Sequence, residues 1–227
     1  KNLCLLHIIC IDGAEALSRT PNLPPCFTIS GSSSGSIKSS VQPITPPSVV
    51  PLPETNKLLN DIKGHWAEEA IAALYDKNIL SGTGNGTYEP DRTVTRSEIV
   101  KMLMSCDEVK TAEYNGIFDD VDKNDWFAGF VQAAFDKGLL SADVYFRPND
   151  GVTRQEAAKL IAMFKVLEFA ETNPKYSDVD SISEWAMPYV AAVTEGGFMN
   201  GDDLGNFMPL KQLTCAEAAT IIWRLIK

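Results

Sequence analysis

Arg96 and Arg154 stand at equivalent places in two copies of one short pattern, Thr95-Arg96-Ser97-Glu98 and Thr153-Arg154-Gln155-Glu156. In each copy the Thr and Glu match a capping box, where the hydroxyl accepts from the N3 amide and the carboxylate accepts from the N-cap amide. Helix initiation thus explains the Thr and the Glu and leaves the arginine over. A cation at the first helical position faces the positive end of the helix dipole, at a cost of roughly 0.3–1 kcal/mol when exposed. Unpaired N–H groups at a helix start attract negative charge, and a guanidinium grips a carboxylate through two parallel hydrogen bonds. Arg96 and Arg154 are therefore candidate carboxylate readers. The alternative is a surface salt bridge to an acid such as Asp61 or Asp120, contributing about 0–1 kcal/mol.

The elements that position these residues recur three times. Thr214-Cys215-Ala216-Glu217 is a third helix start, with Cys where the arginine stands in the others. Trp66, Trp126 and Trp185 fall 60 and 59 residues apart, and behind each comes an aromatic-x-Pro turn: Tyr88-Glu89-Pro90, Phe146-Arg147-Pro148 and Phe207-Met208-Pro209. A period near sixty with matching punctuation means one structural unit used three times. The units span 58–108, 115–166 and 174–227.

Each unit opens on a first helix with an apolar face at 3.6-residue spacing: Trp66, Ala70, Ile71, Leu74; Trp126, Phe130, Val131, Ala134 with Phe135; Trp185, Tyr189, Val190, Val193. The tryptophans read most simply as core anchors of these helices; the functional option is partial exposure, with the indole against a sugar ring. A Gly-containing turn follows (Gly82, Gly84 and Gly86; Gly201 to Gly205), shortened in the second unit around Ala142. Second helices then run through Ile99–Met104, Ala157–Phe164 and Ala218–Leu225. One helical hairpin leaves an apolar face uncovered, so three must pack together. The expected class is predominantly α, three helical-hairpin repeats packed as a pseudo-threefold bundle.

Ahead of the repeats, residues 17–57 read as a disordered linker. Eight of the 13 prolines lie before residue 58, and 30–40 is rich in Ser and Gly, which makes a mixture of flexible coil and stiff spacer. Residues 1–16, with Lys1, an apolar run and Ala14-Glu15-Ala16, have the order of a secretory signal remnant or belong to an upstream fragment.

Net charge narrows the partners. From Leu59 onward there are 16 basic and 27 acidic residues, a formal −11. Such a surface repels nucleic acid phosphate and anionic lipid, so an anionic ligand needs a local basic anchor. No apolar stretch reaches the roughly 20 residues of a membrane span. Cysteines at 4, 10, 26, 106 and 215 have no CxxC spacing, so neither a zinc site nor a disulfide framework is indicated. The acidic run from Asp120 to Asp125 fails the calcium-loop test: its sixth position is Asp125 rather than Gly and its twelfth is Val131 rather than Glu. No nucleophile–base pair, HExxH or catalytic carboxylate pair is present, so no enzyme activity, metal or cofactor is expected of these residues.

The string Asp61…Gly64-His65-Trp66-Ala67…Ile71…Leu74…Ile79…Ser81-Gly82…Gly86-Thr87-Tyr88…Pro90…Val94-Thr95-Arg96-Ser97-Glu98 closely resembles the S-layer homology repeat, and the three copies match that family's usual arrangement. The resemblance implies a secreted module that anchors proteins non-covalently at the bacterial cell surface. The usual receptor is a secondary cell wall polysaccharide carrying pyruvyl ketals, bound in grooves between repeats. It assigns the ketal carboxylate to Arg96 and Arg154. It adds Asp61, Trp66 and Gly82 in the first repeat, and Asp120 and Trp126 in the second, as ligand-binding positions. With Cys215 in place of arginine, the third repeat's groove is expected to be weak. Competing readings are a protein–protein docking unit in S-layer assembly, and the anchoring part of an enzyme whose catalytic domain lies upstream.

Overall fold

The computed structural model describes residues 59–107, 111–169 and 173–227. The signal-like run and the linker expected over 17–57 lie outside the described residues. Six α-helices form among the latter, in chain order α1 (Glu68–Asp76), α2 (Arg96–Cys106), α3 (Ala128–Asp136), α4 (Arg154–Phe164), α5 (Met187–Glu195) and α6 (Cys215–Ile226), with a short 3-10 turn at Val179–Ser181. The predominantly α, three-repeat reading is what the structure contains.

Helices α2, α4 and α6 begin where the capping boxes place them. Thr95, Thr153 and Thr214 each accept from the amide three residues on, and Glu98, Glu156 and Glu217 each accept from the cap amide. The first helices start later than the apolar spacing implied. Trp66, Trp126 and Trp185 precede α1, α3 and α5, in the turns that lead into them. Their side chains are 64 %, 61 % and 47 % exposed, so the core-anchor reading is corrected. Ile71 and Leu74, Val131 and Ala134, and Val190 and Val193 fill the core instead, all fully buried. The aliphatic residues of the helical face suffice, and the indoles lie outward.

Each aromatic-x-Pro turn is held by an aspartate of its own repeat. Asp61 accepts from the amides of Tyr88 and Glu89, Asp120 from Phe146 and Arg147, and Asp178 from Phe207 and Met208, all within 3.0 Å. The middle residues Glu89, Arg147 and Met208 have φ of 60°, 58° and 57°, a left-handed conformation costing roughly 1–2 kcal/mol in a non-glycine residue. Two charge-assisted hydrogen bonds per turn offset that cost.

The strained turn delivers carbonyls to the next helix start. Pro148 and Asp150 accept from the first two amides of α2, Pro209 and Lys211 from those of α4, and Pro90 and Arg92 from those of α6. Closer to the centre, Val94 N–H donates to the Leu213 carbonyl (3.0 Å), Leu213 to Val152 (2.9 Å) and Val152 back to Val94 (3.2 Å). This ring of three hydrogen bonds ties one strand-like residue from each repeat into a cycle. Helix packing follows the same cycle: α2 lies on α3, α4 on α5 and α6 on α1. The second helix of each repeat therefore covers the first helix of the next, and the last closes on the first. One continuous core results.

Candidate functional site

Because every helix start abuts a neighbouring repeat, the clefts of the molecule combine side chains from all three. The cavity over the first repeat's turn, about 300 Å³, is walled by Gly82 with Glu98 and Lys101 of α2, by Trp126 of the second repeat and by Cys215 of the third. The second, about 190 Å³, joins Ser141 with Glu156 and Lys159 of α4, Trp185 of the third repeat and Arg96 of the first. The third, about 160 Å³, joins Gly201 with Glu217 and Arg224 of α6, Trp66 of the first repeat and Arg154 of the second. One plan is used three times: a turn and second helix, the next repeat's tryptophan, and the preceding repeat's helix-start residue.

This regroups the sequence-derived candidates. Gly82 and Trp126 come together, as do Arg154 and Trp66, but Arg96 does not meet Gly82 and Arg154 does not meet Trp126. Cys215 removes the arginine from the first repeat's groove, not the third's. The expectation of a weak third groove is corrected accordingly, since Arg154 stands in it. Asp61 and Asp120 lie outside the walls of all three cavities, as turn clasps, and neither pairs with an arginine. Sequence spacing could not show this, because groove partners such as Arg154 and Asn200 belong to different repeats.

The arginines themselves are held at one edge and open at the other. Arg96 Nε donates to the Phe146 carbonyl at 2.9 Å, and its guanidinium lies 5.4 Å from the centre of the Phe146 ring. Arg154 Nε donates to the Phe207 carbonyl at 2.6 Å and Nη2 to Asn200 at 2.7 Å, with the ring of Phe207 at 4.9 Å. Such stacking fixes the plane of a guanidinium. The single carboxylate beside Arg96 is Glu156, at a long 3.4 Å. Arg154 has no ion pair among the described residues although it is only 7 % exposed. Its Nη1 has no partner there, yet no buried polar side-chain atom among the described residues is unpartnered, so Nη1 faces the cleft. Burial pulls both arginines below the ordinary guanidinium range, and Glu156 and Glu217 offset it only in part. Each is a cation short of counter-charge.

The expectation of free amides at these helix starts is corrected. The first two are taken by the neighbouring turn and the third by the cap threonine. An anion here meets the guanidinium rather than the helix terminus. Within a module of formal charge −11, each cavity wall is net positive by one: Arg92 and Lys101 against Glu98; Arg96, Arg147 and Lys159 against Asp143 and Glu156; Arg154 and Arg224 against Glu217. The local basic anchor that such a surface requires is therefore in the clefts.

Gly82 is explained by closure of its turn. A Cβ there would stand 2.6 Å from the Thr87 carbonyl oxygen and 2.7 Å from Leu59. Gly201 occupies the same tight position, 2.7 Å from the Asn206 carbonyl. The second repeat, with a shorter turn, carries the exposed Ala142 instead.

Comparison with known proteins agrees with this architecture. The family model described as S-layer homology domain matches residues 59–100, 117–158 and 175–219, more than half of the chain. An amylopullulanase of Thermoanaerobacterium thermosulfurigenes is 37 % identical over 180 residues, 77 % of this chain and 10 % of its own length. An exoglucanase of Acetivibrio thermocellus is 36 % identical over 74 % of this chain and 16 % of its own. The surface-layer 125 kDa protein of Lysinibacillus sphaericus is 27 % identical over 79 % and 16 %. The chain thus spans between a tenth and a sixth of the length of these relatives.

Proposed function

Because the chain belongs to the S-layer homology family, a family of cell-wall anchoring modules at the bacterial surface, we infer that its anchoring is to a pyruvylated cell wall polysaccharide. Arg96 and Arg154 take the ketal carboxylates, one in each of the second and third clefts. The observation that carries this reading is Arg154: nearly buried, unpaired by any acid among the described residues, and with Nη1 open to a cleft beside an exposed tryptophan. A carboxylate arriving there supplies the missing counter-charge in a partly dry site, where a charge-assisted hydrogen bond is strongest. Arg96 offers the same, with Glu156 as a weak competitor at 3.4 Å.

Trp66 and Trp185 form the sides against which the sugar ring lies, and Arg224 and Lys159 add positive charge at the rims. Gly82, Asp61 and Asp120 serve the frame: the first closes a turn and the aspartates hold the turns whose carbonyls fix the helix starts.

The test is calorimetric titration of the full chain with isolated wall polysaccharide, before and after mild-acid removal of the ketals. The reading expects the native polymer to bind at least about tenfold more tightly than the stripped one. Equal affinity for the two would remove the carboxylate from the account.

A further inference from the structure

Three positions depart from the shared plan together, and all three border the first cleft. The helix-start arginine is Cys215, the aromatic of the turn is Tyr88 instead of phenylalanine, and Arg92 stands where the other repeats have Asp150 and Lys211. The Tyr88 hydroxyl donates to the Cys215 carbonyl at 3.1 Å. Burial keeps the Cys215 thiol up at about 11, so it brings neither charge nor a nucleophile. Arg92 enters the cleft but is fully engaged. It grips Glu98 with both terminal nitrogens (2.7 and 3.1 Å), donates to the Thr93 carbonyl, and has Glu89 at 3.3 Å from Nε. Lys101 turns its ammonium onto the Ile79 and Asn78 carbonyls. Neither cation is left seeking an acid, in contrast to Arg96 and Arg154.

What the cleft does offer is the largest of the three group-built volumes, apolar walls from Leu80, Val94 and Met102, and the exposed face of Trp126. Ser81 and Thr83 place hydroxyls at the rim. An apolar floor with an aromatic face and a few polar groups at the edge suits an uncharged, hydroxyl-rimmed ring.

We propose that the cleft over the first repeat's turn is a subsite of different chemistry, taking an uncharged sugar unit of the wall polymer against Trp126. The occupant follows from continuity with the other two clefts, which share its plan, and from the absence of an available guanidinium. This inference rests on the wall-polysaccharide reading above but not on its carboxylate. The module then holds its polymer at two acid-reading points and one neutral point, and tolerates partial loss of ketals.

The experiment uses the full chain, titrated with native polysaccharide and with polysaccharide stripped of ketals, comparing wild type, Trp126→Ala and Trp66→Ala. Both indoles are exposed, so truncation spares the core, and circular dichroism checks this. Wild type is expected to bind the stripped polymer; Trp126→Ala weakens that binding about tenfold or more, and Trp66→Ala leaves it within about twofold. Failure of wild type to bind the stripped polymer, an unaffected Trp126→Ala, or an equal loss in Trp66→Ala would each overturn the proposal. Tighter binding of the native polymer bears separately on the acid-reading clefts, so the two readings fail by different results.

Discussion

A buried guanidinium with an unclaimed edge is the residue-scale fact from which the functional reading grows. Replacing Arg154 by Gln keeps much of its volume and some hydrogen bonding but removes the charge. Binding of native wall polysaccharide is expected to fall about 10- to 100-fold, measured by calorimetry, while the change in affinity for ketal-free polymer stays small. Gly82→Ala should act on stability instead, by about 1–3 kcal/mol in chemical denaturation, because the added methyl meets backbone in a turn that cannot open. The arginines were legible in the sequence because they break a local rule at a helix start. Their companions were not. Trp66 belongs with Arg154 and Trp185 with Arg96, pairings fixed by which turn abuts which helix start, and helical periodicity carries no information about that. Periodicity also misplaced the tryptophans, since an apolar residue just ahead of a helix can continue its spacing and still lie in the outward-facing turn.

At the scale of the element, the capping box does two jobs. It starts the helix, and in the first cleft its glutamate holds Arg92. Burial alone would raise the Glu98 carboxyl, but hydrogen bonds from Arg92 and the Thr95 amide outweigh burial and hold it below the ordinary range. A carboxyl depressed in the folded state contributes stability that is fully present above its unfolded pKa, about 4.3, and is lost as pH falls through the folded value. Thermal unfolding of the chain is therefore expected to be level in this contribution above about pH 5 and to weaken below about pH 4. Glu98→Gln should lower the plateau and flatten the acid fall; an unchanged acid slope in that variant would assign the fall to other groups. Thr214→Ala removes a cap whose amide partner is Glu217 and should cost about 1 kcal/mol. All three caps were readable from four residues each, because the chemistry of a helix start is local.

The whole molecule closes on itself, and that closure is the part least visible in the chain. Three tandem repeats imply stacking, but a linear stack and a ring share the same spacing. The cycle through Val94, Leu213 and Val152, and the seating of α6 on α1, decide for the ring. Deleting residues 174–227 would uncover Ile71 and Leu74 on α1 and leave α4 without α5. The remaining two repeats are then expected to lose cooperative unfolding, which a denaturant transition monitored by circular dichroism would reveal; a sharp, native-like transition would mean the repeats are energetically independent. Closure also gives the acidic module its three positive clefts, each needing all three repeats to exist. The most direct test of the central claim observes the two guanidinium groups themselves: nitrogen-15 spectra of the arginine Nε–H signals, recorded during addition of a pyruvylated disaccharide. The account predicts that Arg96 and Arg154 shift with saturation while Arg92, locked to Glu98, does not; signals of Arg96 and Arg154 that stay in place as the disaccharide binds would contradict it.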